Sequence, residues 1–145
     1  MRSFSAVFFV LPLIFLISCT HGVVKETQID PSSWLKTMSG SEPAQIDVTG
    51  KWHDVKESTF FSWGESYLRQ EQNKVTGAIG DYNIRGMVSG KTVYLVLLYG
   101  GTVYYTARLE MFEDILTGNY FKGDDREQLV GYPTSFARTL GPTKR

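Results

Sequence analysis

The stretch that most restricts the fold runs from Val75 to Tyr105. Short runs of apolar and aromatic β-formers, Val75–Ile79, Tyr82–Val88 and Thr92–Leu98, are cut at near-regular intervals by Gly80-Asp81 and Ser89-Gly90-Lys91. Glycine beside a polar turn former between such runs is the signature of up-and-down antiparallel strands. Tyr99-Gly100-Gly101-Thr102 then places two glycines at the centre of a two-residue hairpin. Beyond it Val103, Tyr105, Ala107, Leu109 and Met111 alternate with Thr102, Tyr104, Thr106, Arg108 and Glu110, a half-buried strand with one set on each face. Thr92–Leu98 is apolar on both faces, which predicts a strand that is central or covered on its outer side.

The pattern extends in both directions. Glu65–Glu71 alternates imperfectly and Gln72-Asn73-Lys74 supplies a turn; Glu113-Asp114 turns the chain into Ile115–Phe121. A polar loop, Lys122–Pro133, precedes a closing strand at Ser135–Leu140. The count is about eight strands, which predicts an all-β, antiparallel up-and-down barrel whose interior just admits side chains or one small ligand. The formal net charge of +0, with Lys and Arg scattered along the chain, leaves no basic field for nucleic acid.

The N-terminus carries a different signal. Arg2 is followed by the uncharged, mostly apolar Phe4–Ile17, the length of a secretory h-region and short of the roughly 20 apolar residues of a membrane span. It ends at Leu16-Ile17-Ser18-Cys19, which resembles the lipobox of bacterial lipoproteins. The resemblance implies a signal peptide over 1–18 and a diacylated, N-acylated Cys19. The membrane is then a partner through an anchor, since two or more acyl chains hold firmly where one is marginal. Thr20, in place of the Asp that goes with inner-membrane retention in enterobacterial lipoproteins, implies an outer-membrane protein facing the periplasm. Cys19 is the single cysteine, so the exported domain has no disulfide.

Residues 19–47 read as a polar, flexible tether. Within it Asp30-Pro31 forms a helix start, and Trp34, Leu35 and Met38 give the short helix near 31–38 an apolar side that packs on the barrel or, alternatively, lies against lipid; with Lys36 as its one basic residue the barrel is favoured. The barrel domain is assigned to 48–145. It opens with Gly50-Lys51-Trp52 and closes near Arg138, and these residues resemble the calycins, the lipocalin and avidin group of small barrels. That resemblance implies a structural closure in which Arg138 packs over Trp52, next to Gly50. No biotin-binding set maps onto the chain.

Little here points to chemistry. Gly86–Thr92 resembles a phosphate loop but is one residue short and lies in a hairpin. His53 has no second histidine or thiolate in the domain for zinc, and no Gly-x-Ser-x-Gly elbow accompanies it. Asp124, Asp125 and Glu127 form a solvated loop or, alternatively, a weak calcium site. We therefore expect no enzyme, no cofactor and no metal. The surplus is aromatic, and aromatic walls with a few polar groups make small-molecule sites. The expected ligand set is Phe61, Trp63, Tyr67, Arg69, Arg85 and Tyr105, with Glu57–Gly64 over the mouth. Two functions follow from it: a lipid-anchored envelope barrel binding a small, partly apolar ligand, or a filled barrel that binds an envelope protein through Tyr94, Val96, Leu98 and Tyr104.

Overall fold

The computed structural model describes residues 30–55, 62–123, 125 and 127–140. Cys19 and Phe61 lie outside the described residues, as does most of the Glu57–Gly64 stretch. Eight antiparallel strands close into one barrel in sequence order. They are β1 (Gly50–Asp54), β2 (Ser66–Glu71), β3 (Lys74–Ile79), β4 (Tyr82–Ser89), β5 (Thr92–Tyr99), β6 (Thr102–Phe112), β7 (Ile115–Lys122) and β8 (Tyr132–Arg138). β1 joins β8 through Trp52–Arg138, His53–Ala137 and Asp54–Phe136, so the sheet has no free edge along these pairs. Each hairpin turns where a glycine or polar pair stands; Gly100 and Gly101, at φ 58° and 85°, adopt the left-handed conformations that a tight primed turn requires.

The closing strand starts earlier than the sequence suggests. β8 begins at Tyr132 and includes Pro133, which lies beyond the last β1 pair, Asp54–Phe136, with only β7 registered beside it. A missing N–H is tolerated at such an edge position.

The barrel is solid. Trp52, Leu68, Val75, Ile84, Val88, Val93, Leu95, Leu97, Leu109, Leu116 and Phe136 form one inward cluster, with Trp63, Ile79, Ala107 and Tyr120 above them. Gly86 stands in this wall because a Cβ there would lie 2.6 Å from the Leu95 side chain and 2.7 Å from the Tyr94 carbonyl. An eight-stranded barrel has room for its own side chains, and here they occupy it.

The outer wall is clothed on one side only. Helix α1 (Pro31–Met38) is capped by the Asp30 carboxylate, which accepts from the Ser32 and Ser33 amides. Its Trp34 and Leu35 bury against Tyr94, Val96 and Leu98, flanked by Met38, Met87 and Val103. This explains why β5 is apolar on both faces, and it corrects the expectation that Tyr94, Val96 and Leu98 offer a partner surface: the helix already covers them. A second correction concerns β6. Leu97 pairs with Tyr105 and Leu98 with Val103, leaving Tyr104 as the extra residue of a bulge. The slip breaks the expected alternation: Val103 packs on the outer cluster, while Tyr105 and Ala107 pack on the inner one.

Residues 40–47, in the stretch that the sequence assigns to the tether, are bonded to the barrel, as is Val48 after them. Ala44 bridges Gly90, the Gln45 amide donates to the Gly90 carbonyl at 2.8 Å, and Asn73 donates through its side chain to Glu42 and Val88 carbonyls. Gln70 donates to the Ile46 carbonyl and accepts from the Val48 amide.

Candidate functional site

At the base, Trp52 is 2% exposed and its indole N–H donates to the Val48 carbonyl at 2.9 Å. The Arg138 guanidinium lies over the indole, 4.5 Å from its centroid. Its Nε donates to Asp114 at 2.9 Å, Nη2 to the Asp47 carbonyl at 2.7 Å and Nη1 to the Thr49 carbonyl. A Cβ on Gly50 would stand 3.2 Å from Nη1, so glycine leaves the guanidinium its place. Asp47 titrates below the usual carboxylate range, first because its side chain accepts hydrogen bonds from Thr49 and, more weakly, because Arg138 is near. Every polar group here is directed at closure.

The opposite end is closed by aromatic rings. Trp63, on a short non-strand segment before β2, is 6% exposed; its N–H donates to Thr134 Oγ1 at 3.1 Å. Its ring meets Tyr120, Tyr105 and Tyr82 edge-on at 5.0, 5.4 and 6.0 Å between centroids. The segment is held by Asp54, whose Oδ2 accepts from Ser62 Oγ at 2.7 Å and from the Trp63 amide. The phenols of Tyr82 and Tyr120 titrate above their ordinary range, chiefly through burial and then through neighbouring Tyr105. Above this plug, Tyr82, Tyr99 and Tyr104 form a triangle of rings 5.9 to 6.2 Å apart, with Tyr99 56% and Tyr104 47% exposed.

The expected ligand set does not converge. Trp63 and Tyr105 meet at the mouth, but Tyr67, Arg69 and Arg85 stand on the outer wall. Arg69 pairs with Glu71 at 2.7 Å, and Arg69 and Arg85 flank Thr76 from either side. His53 faces out, its Nδ1 3.1 Å from Thr139 Oγ1, while the adjacent Asp54 is engaged with Ser62 and Trp63. Successive strand residues point to opposite faces, so the two form no acid–base pair. Asp125 caps the Leu129 and Val130 amides, and these bonds hold its carboxyl below the usual range. Glu127 faces solvent and Asp124 lies outside the described residues; among the described residues no group of three or more His, Cys, Asp or Glu could hold a metal.

Sequence reasoning did not find the rim tyrosines as a group, because the bulge that gathers them leaves no mark in a run of β-formers. It also passed over a cleft of about 590 Å³ on the outer wall, lined by Met38, residues of β6 and β7, and the β7–β8 loop. Among the described residues no helix is long and apolar enough to cross a membrane. Comparisons with protein families, with curated proteins and with solved structures give no significant match to this chain.

Proposed function

We propose that this chain is a calycin-like, lipid-anchored protein of the bacterial cell envelope, held at the outer membrane through Cys19, that recognises an envelope protein with the tyrosine rim of a filled barrel. The rim carries the proposal. A bulge breaks the β5–β6 register at the mouth and leaves Tyr104 exposed beside Tyr99 and Tyr82. Bulges at barrel rims re-aim side chains, and exposed tyrosines are favoured anchors of protein interfaces. A ligand inside the barrel would have to displace core side chains, and the wall of β5 is already taken by α1. The Leu16-Ile17-Ser18-Cys19 resemblance supports the anchor.

The test is photo-crosslinking in intact cells, with a photoreactive residue replacing Tyr104 and a control at Thr76, exposed on β3. One discrete protein adduct at 104 and none at 76 is expected. Adducts at both positions, or at neither, would remove the rim from consideration. A second reading, a small partly apolar ligand seated where Trp63 now lies, is favoured by the ring edges of Tyr82, Tyr105 and Tyr120 around that indole, which form an aromatic wall.

A further inference from the structure

The cleft outside the barrel has features that neither end of the barrel shares. Its floor is the outer face of β6 and β7, where Arg108 is registered with Asn119 and Glu110 with Thr117. Its walls are Met38 at the end of α1 and Glu127 and Gln128 in the β7–β8 loop, and Phe121 lies at the bottom. Gln128 is bonded to the barrel, donating to Thr106 at 3.3 Å, and Asp125 holds the amides of Leu129 and Val130. Cross-strand neighbours stand roughly 5 Å apart and same-face neighbours along a strand roughly 7 Å, so the four floor residues form a polar lattice rooted at set backbone spacings.

The lattice is unspent. Among the described residues the side chains of Glu110 and Asn119 have no hydrogen-bond or ion-pair partner, and Arg108 has only the face of Tyr94, 5.9 Å from its ring centroid. Gln128 uses its amide nitrogen on Thr106 and keeps its oxygen. Arg, Glu, Asn and Gln present donors and acceptors in fixed planar arrangements. Groups of that geometry suit neighbouring hydroxyls, each of which both donates and accepts. Phe121 and Met38 supply apolar surface for the C–H face of a ring, and the volume lies within the range of small-ligand sites. Charge narrows the ligand further. Among the described lining residues one cation, Arg108, stands with two carboxylates, Glu110 and Glu127, a balance that disfavours phosphate or another strong anion.

We infer that the cleft formed by Arg108, Glu110, Asn119, Phe121 and Gln128 is a binding site for an uncharged, hydroxyl-rich chain, a neutral glycan. The site is separate from the tyrosine rim and does not depend on the rim having a protein partner.

The experiment titrates the isotopically labelled full chain, in a zwitterionic detergent free of sugar, with chitotetraose and, separately, with maltotetraose. Amide shifts are followed to roughly 10 mM, where a Kd of about 1 mM is nearly saturated. Saturable shifts confined to β6, β7 and the β7–β8 loop with at least one of the two are expected. Asn119→Ala and Glu110→Gln should each weaken that binding about tenfold, with the melting temperature unchanged because both side chains are exposed and unpartnered. No shifts with either sugar would overturn the inference. So would shifts that persist undiminished in both variants, or shifts produced equally by tetralysine, which would make the cleft an acidic surface for cationic peptides.

Discussion

The two ends of the barrel are each stopped by a tryptophan, and they are stopped in opposite ways. At the base, Trp52 is held by a backbone carbonyl from beneath and a guanidinium from the side, and that guanidinium donates to Asp114 and to two further carbonyls. At the mouth, the Trp63 indole donates to the Thr134 hydroxyl and lies among ring edges, while its backbone amide donates to Asp54. The base ties together chain segments far apart in sequence: residues 47–52, Asp114 and Arg138. The mouth gathers aromatic surface and leaves part of it in water. Closure through charge and backbone specifies one arrangement, whereas edge-on ring contacts can be remade with other apolar groups. The base therefore suits a structural role and the mouth a recognition role.

The largest expected effect is at the base. Trp52→Ala removes a fully buried indole that is ringed by fixed partners, so the cavity cannot collapse; a loss toward the top of the ~3–5 kcal/mol range is expected in urea unfolding. At the mouth, Trp63→Ala should cost about 3 kcal/mol, because partly exposed tyrosines can close over the space. The sharper distinction is rescue. Free indole should raise the melting temperature of the Trp52→Ala protein, whose cavity persists as engineered apolar cavities do, and should raise that of Trp63→Ala far less, because the tyrosines close over the space. Equal rescue of both, or of neither, would erase the difference between the ends.

Much of the fold was legible because strand punctuation and two-faced apolarity report directly on sheet topology. The double-sided β5 implied a strand that is central or covered and Asp30-Pro31 implied a short helix, but nothing in the sequence joined the two; Trp34 and Leu35 are what cover β5. What stayed hidden was a matter of phase. Tyr104 and Tyr105 are both good β-formers, so a one-residue bulge between Leu97 and Leu98 changes which of them faces in without changing the sequence pattern. Arg69 and Arg85 were legible and misassigned: they alternate with Leu68 and Ile84, which are buried, so period-two spacing already puts both arginines on the outer wall. The cleft could not be read at all, since it exists only where the end of a helix and a loop 90 residues later flank the same two strands.

A smaller effect separates the components of the base. Arg138→Ala loses a cation–π contact worth ~0.5–2 kcal/mol and frees the Asp47 and Thr49 carbonyls, which water can reach in part; a total of about 2 kcal/mol is expected. Arg138→Lys should recover less than half of it, because a point charge cannot both lie flat on Trp52 and donate to three acceptors. Full recovery by lysine would mean that the charge alone closes the base.

The smallest effect is set by pH, and its sign differs between the two ends. Tyr82 and Tyr120 have folded-state values raised above 10.0, first by burial and then by Tyr105, so the folded protein favours their neutral form. A raised value stabilises fully below the unfolded pKa and is lost as pH rises through the folded one, so the mouth weakens in alkali. Asp47 has a folded value lowered below 3.8 by hydrogen bonds from Thr49. A lowered value stabilises above the unfolded pKa and is lost as pH falls through the folded one, so the base weakens in acid. Melting temperatures across the pH range should therefore fall at both extremes. Tyr82→Phe should flatten only the alkaline fall, and Asp47→Asn only the acid fall. If Tyr82→Phe leaves the alkaline slope as steep as in the parent protein, the mouth phenols are not what alkali acts on, and the two ends differ in packing alone.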